Sequence, residues 1–329
     1  MISALALAAV LSRARDTYAA DIVAMAPMTG RDVAYDYVVR LDDDIASLSA
    51  PLPAGVPYTA DEWRGYITRI STLDDDVVGQ YLARTPHPLG AIRGLGTTLV
   101  RASADGTMQP VAVYVPPSYD AKHPAALVIF LHGREQTESQ LLAKADFARL
   151  ADSTGSIVIA PYGRGYYDFR GSATTDIYDA VAAAKGAFAI DPRREFLAGY
   201  SMGGFSVFEV GVVRPTEWAA LMCVSGGLFS TADAEAAARE LRTVPLYALT
   251  GARDADIPTT YTTASAGYLR YSGMPVSYYQ QADGTHRIES LRPILDRAWD
   301  DMHHGVVRQP PPTFALGAAP PQPPSGFKP

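Results

Sequence analysis

Ser201 stands in Gly199-Tyr200-Ser201-Met202-Gly203, with a further glycine at 204, directly after "REFLAG". A strand that bends sharply into a helix can hold a serine hydroxyl clear of its neighbours. Glycines on both sides let such a bend be tight. The N-terminus of the following helix favours negative charge developing beside the hydroxyl. A serine of this kind needs a base, and the base needs a carboxylate to orient it. His286 in "DGTHRIES" is the candidate base, and Asp254 and Asp256 in "RDADIP" are both candidate acids; two residues apart, they are expected to point to opposite sides of an extended segment, so that only one reaches the imidazole. The three types occur in the order Ser, Asp, His, each after a run that reads as a strand. Together they point to acyl transfer through a covalent intermediate.

His132 closes the run "AALVIFLHG". A loop here can supply half of an oxyanion hole, the N–H of Arg134 joining that of Met202. His132 is then expected to orient the loop and border the substrate rather than act as the base. Tyr162, Tyr166, Tyr167 and Phe169, in "PYGRGYYDFRG", are candidates for lining an acyl or aromatic-group pocket.

The elements that must position these residues follow from the hydrophobic pattern. In the first 92 residues two stripes have helical spacing: Ala34, Val38, Leu41, Ile45 and Leu48, then Trp63, Ile67, Ile70, Val77, Tyr81 and Leu82. Thr59 or Asp61 is expected to cap the second helix. From residue 93 the pattern changes to short apolar runs alternating with helical stretches. "TTLVRA" and "QPVAVYVP" flank a hairpin turn in "SADGTM", and six further strands follow. Apolar strands alternating with helices predict an α/β fold, with an eight-stranded, mostly parallel sheet covered on both faces. In such a sheet functional groups gather at the carboxyl ends of the strands. Residues 306–329 are rich in proline and are expected to form a tail without a core. The expected division is 1–92, a helical extension; 93–305, the catalytic domain; and 306–329, the tail. The extension is expected to pack against the sheet, the alternative being a cap over the site.

The 329 residues are 48% hydrophobic and 19% charged, with a net charge of -7, which leaves no basic footprint for nucleic acid. The single cysteine, Cys223, excludes an intrachain disulfide and a cysteine-based zinc cluster, and reads as a buried apolar residue. No run is long enough for a membrane span. The start, "MISALALAAVLSRARD", fits a first helix and a trimmed export signal equally. The compartment stays open, with a secreted or periplasmic location preferred; the oligomeric state is open too.

The segments "LHG", "PYGRGYYDFRG", "IDPRREFLAGYSMGG", "GARDADIP" and "GTHRI" together resemble the α/β-hydrolase superfamily. More narrowly, the chain looks like esterases of the feruloyl-esterase and polyhydroxybutyrate-depolymerase type, and like the catalytic domains of prolyl-oligopeptidase-like enzymes. The resemblance covers roughly residues 95–305. It implies a serine carboxylic ester hydrolase with Ser201 as nucleophile and His286 as base. It selects Asp254 as the acid, because "G-x-x-D-x-x-V-P" in that family aligns with Asp254 and Pro258 here. It implies no cofactor and no metal, and a small-molecule or polymer-borne ester as substrate. Arg134 stands where many polymer-active relatives have cysteine, so no particular polymer is assigned. The competing readings are a peptidase or acyltransferase on the same residues, and a catalytically silent binding protein. A peptidase of this kind would be expected to carry a propeller, and no propeller repeat is present.

Overall fold

The structure is a computed structural model. It describes residues 8, 9, 11, 12, 14–17, 21, 31–53, 56–134, 136–165 and 168–307. Tyr166, Tyr167 and the proline-rich stretch from 308 onward lie outside the described residues, as does most of the start of the chain.

Eight strands form one sheet in the order β1-β2-β4-β3-β5-β6-β7-β8. They are β1 (Gly94–Arg101), β2 (Met108–Val115), β3 (Ala125–Leu131), β4 (Ile157–Pro161), β5 (Ile190–Tyr200), β6 (Ala220–Val224), β7 (Leu246–Gly251) and β8 (Val276–Gln281). β1 and β2 form the antiparallel hairpin expected around Gly106, whose φ of 76° suits the turn. β2 also runs antiparallel to β4, and the remaining neighbours are parallel.

The central strands read as continuous apolar runs because both their faces are covered. Along β3, Leu127, Ile129 and Leu131 enter one core layer, and Ala126, Val128 and Phe130 enter the other. The first layer is closed by α5 (Ser172–Ala187), α6 (Met202–Gly211), α7 (Thr231–Glu240) and α8 (Thr259–Tyr271). The second is closed by α3 (Glu138–Leu142), α4 (Ala145–Thr154) and α9 (Arg292–His303). Cys223 is buried in the first layer. Among the described residues, no helix is long and apolar enough to cross a membrane.

The two helical stripes become α1 (Arg31–Ser49) and α2 (Ala60–Ala83). Thr59 caps α2 in a reciprocal box with Glu62, which settles the choice between Thr59 and Asp61. Tyr37, Val38 and Leu41 pack on Ile67, Ile70 and Val77, and the same cluster takes in Leu99, Ala143 and Tyr162. The pair therefore lies against the β1 edge and the end of α3.

A polar cluster is buried in this contact. Arg40, its side chain 10% exposed, donates to Glu138 at 3.0 Å, and the Glu138 side chain is 1% exposed. Tyr37 also donates to Glu138. Desolvation opposes ionisation of Glu138, but the Arg40 guanidinium, His132, the Tyr37 hydroxyl and a backbone N–H together outweigh it and hold the carboxyl below its ordinary range. Nearby, burial and the Asp74 charge push Asp44 up to about 9, and burial pushes Asp74 up to about 7. These raised values lessen the negative charge around Arg40, which itself pairs with Asp36 and Glu138. Removing one partner of a buried pair strands the other charge. Arg40→Met is thus expected to lose about 3–5 kcal/mol of unfolding free energy. Urea denaturation at neutral pH measures it, and an unchanged midpoint would show that the pair contributes nothing net.

Candidate active site

β5 runs into α6 through Ser201, whose φ is 54° and ψ -116°. A positive φ at a residue with a Cβ is strained and is held only where the surroundings over-determine it. Here they do. The Ser201 N–H donates to Val224 O at 2.9 Å, and the Gly203 N–H donates to His132 O at 3.0 Å. The flanking glycines are required by close approach of backbones. A Cβ on Gly199 would lie 2.2 Å from Gly203 O, and one on Gly203 would lie 2.2 Å from Leu131 O.

His286 follows β8 and Asp254 follows β7. The two loops are tied together: Arg253 N–H donates to Gly284 O at 2.8 Å, and a Cβ on Gly251 would lie 2.4 Å from that same oxygen. The result is a connected line of side chains. Ser201 Oγ is 2.9 Å from His286 Nε2, and His286 Nδ1 is 2.9 Å from Asp254 Oδ2. Asp254 is buried, and its Oδ1 accepts the backbone N–H groups of Asp256 at 3.1 Å and Ile257 at 2.8 Å. The Tyr200 hydroxyl donates to His286 O, with the rings 5.2 Å apart. Burial pushes the Tyr200 phenol well above its ordinary range, so it stays a neutral donor.

These groups open onto a cleft of about 710 Å³ lined by Arg134, Met202, Ser201 and His286. Met202 is the first residue of α6, where a helix leaves N–H groups unpaired. The amides on either side of it are already engaged, as above. Gln136 N–H donates to Gly133 O at 3.2 Å, and Arg134 lies within that turn.

Three expectations need correction. Asp256 does not point away from the imidazole. The chain at 252–258 is a series of bends rather than a strand, so strand alternation fails. Asp254, Asp256 and His286 place ligand-type atoms within 4.8 Å of one another. The hydrogen bond between Asp254 and His286 accounts for their approach, and Asp256 is the exposed member. Tyr162 does not line the cleft: it is buried against Tyr37, and its hydroxyl donates to Asp36 at 3.2 Å. His132 does not line it either. It is buried, with Nδ1 2.9 Å from Gly133 O and Nε2 3.1 Å from Tyr162 O. Desolvation lowers its pKa, and a neutral ring donates to one of those carbonyls at a time. It braces the loop and does not meet substrate.

Residues missed in the sequence also line the cleft: Lys144, Tyr200, Arg287 and Glu289 among them. Tyr200 could have been singled out as the residue before the serine. The others carried no local signal.

No family model matches the chain. Solved structures do. A ferulic acid esterase superposes with a TM-score of 0.55 at 16% identity, over 64% of this chain and 97% of its own. A fluorophosphonate-binding serine hydrolase from Staphylococcus aureus gives 0.54 at 15%, over 64% and 98%. A thermostable esterase gives 0.52 at 18%, over 64% of this chain and 62% of its own. The chain has the α/β-hydrolase fold. Among curated proteins, a bifunctional acetylxylan esterase/xylanase from Neocallimastix patriciarum is 27% identical over 154 residues. That match spans 45% of this chain and 22% of the relative. The α/β-hydrolase core of the ferulic acid esterase is thus covered almost whole, while about a third of the present chain lies outside the match.

Proposed function

We propose that the protein is a serine carboxylic ester hydrolase. The observation that carries this reading is the line Ser201 Oγ, His286 Nε2, His286 Nδ1, Asp254 Oδ2, with 2.9 Å at each end, opening onto a cleft. Solved esterases of the same fold and the acetylxylan esterase match support it.

His286 Nε2 takes the Oγ proton as Ser201 attacks the ester carbonyl carbon. Asp254 accepts from Nδ1–H, which holds the basic tautomer and steadies the imidazolium. The N–H groups of Arg134 and Met202 receive the oxyanion. On collapse the C–O bond to the alcohol breaks, its electron pair leaves on oxygen, and Nε2 returns the proton to it. Water then attacks the acyl-enzyme, gives a proton to Nε2, and the acid leaves as Oγ is reprotonated. A fluorophosphonate probe that labels wild-type protein supports the reading, and no labelling would leave a silent binding protein. Faster cleavage of p-nitroanilides than of p-nitrophenyl esters would favour a peptidase.

The oxyanion role belongs to the backbone of Arg134, so Arg134→Ala should retain substantial kcat. Arg134→Pro removes the N–H and should lose about 10²–10³-fold in kcat. A folded Pro variant as active as wild type would remove this residue from the oxyanion hole.

A further inference from the structure

Two walls enclose the cleft. One carries Arg134 and ends at Lys144; the other runs from His286 to Glu289. Lys144 and Glu289 join them in an ion pair, each side chain 9% exposed. Tyr58, the residue before the cap of α2, donates its hydroxyl to Glu289 Oε1 at 2.9 Å. Burial opposes the Glu289 charge, but Lys144, a backbone N–H and the Tyr58 hydroxyl together outweigh it, and the carboxyl sits below its ordinary range.

The same helix grips the first wall. Tyr66 OH donates to Gln140 O at 2.8 Å, and Arg69 Nε donates to Ala143 O at 2.8 Å. These carbonyls lie at the end of α3, where a helix leaves acceptors unsatisfied. Tyr58 is held in turn by its ring, stacked on Tyr66 with centroids 5.8 Å apart. An exposed ion pair would average over many geometries. This one is almost dry and anchored from a third side, so it sets one separation of the walls.

We propose that Tyr58 is a positioning residue: acting through Glu289 and Lys144, it holds the His286 wall and the Arg134 wall at the spacing that brings imidazole, serine and oxyanion donors together. The helical pair α1–α2 is in this sense part of the catalytic apparatus. The consequence for rate rests on the ester hydrolase reading; the clamp itself does not. Misplacing reacting groups by about 1 Å can cost on the order of 10²-fold, so a loosened wall lowers kcat more than KM.

Tyr58→Phe keeps the ring stack and removes only the hydroxyl, and Glu289→Gln keeps the shape and removes the charge. On p-nitrophenyl acetate, Glu289→Gln is expected to lose about 10-fold in kcat and Tyr58→Phe about 3-fold, with KM within about 2-fold of wild type. Because Tyr58 acts through Glu289, the double variant should be no slower than Glu289→Gln alone. Hydrogen exchange of peptides covering 133–144 and 284–291 should quicken in both variants. Wild-type exchange in both variants overturns the clamp. So does wild-type kcat in Glu289→Gln, or losses that multiply in the double variant. If wild-type protein cleaves no ester, the hydrolase reading fails, and the exchange comparison alone decides the clamp: quickened exchange in both variants supports it and unchanged exchange overturns it.

Discussion

Purified Ser201→Ala is expected to fold as the wild type does and to lose ester hydrolysis by on the order of 10⁶-fold in kcat. The size follows from what the hydroxyl does. In the proposed mechanism it is the atom that bonds to the acyl carbon, and His286 serves the leaving alcohol and the attacking water only around that bond, with Asp254 behind it. Their contributions therefore vanish with it rather than remaining as partial catalysis. The fold should be indifferent, because the anchoring bonds at the elbow come from backbone groups: the Ser201 N–H to Val224 O and the Phe205 N–H to Ser201 O at 3.1 Å. Alanine keeps both. The backbone strain at φ 54° stays, since alanine also carries a Cβ. The measurement is kcat on p-nitrophenyl acetate with matched circular dichroism, alongside fluorophosphonate labelling. Retention of most wild-type turnover would remove Ser201 from the chemistry.

Asp254→Asn is expected to lose about 10⁴-fold in kcat with the fold intact. The amide has the shape of the carboxylate, but its NH₂ turned toward Nδ1 favours the tautomer with the proton on Nε2, where the base must be empty. Asp256→Asn should lose little. Its link to Asp254 is its backbone N–H, at 3.1 Å from Oδ1, and the substitution keeps that bond. Its side chain is the exposed one, so a change there is softened by water. kcat/KM of both variants on one soluble ester decides the assignment. A collapse confined to Asp256→Asn would move the acid role to that residue, and near-wild-type rates in both would place the acid elsewhere.

Much of the frame is legible in local pattern. The stripe at Ala34, Val38 and Leu41 becomes the buried face of α1, and Thr59 caps α2. The apolar runs become strands because a strand buried on both faces has no polar side to show. Strand ends alone name Ser201, His286 and the pair Asp254 and Asp256; the family resemblance selects Asp254, and the fold brings it into contact with His286 and Ser201. A loop has no period for the sequence to show. Asp254 and Asp256 do not alternate across a strand, because the chain there bends. Tyr162 has tyrosine-rich neighbours along the chain, yet its ring meets Tyr37 on a helix more than a hundred residues earlier, away from the cleft.

What the sequence by itself determined was therefore everything written in short-range terms: helix stripes and caps, apolar strands, the glycines of the elbow, and the order of the reactive residues. Each reflects an energy that depends on residues a few positions apart. The tertiary structure alone decided the rest. β2 lies against β4 and leaves β3 in the interior of the sheet, Asp256 joins the cleft, and Lys144 meets Glu289 under the Tyr58 hydroxyl. Those contacts join residues whose separation along the chain leaves no periodic trace. The Lys144–Glu289–Tyr58 contact exists because packing the α1–α2 pair against the sheet forces these charges and this hydroxyl into one nearly dry space, where each must find a partner.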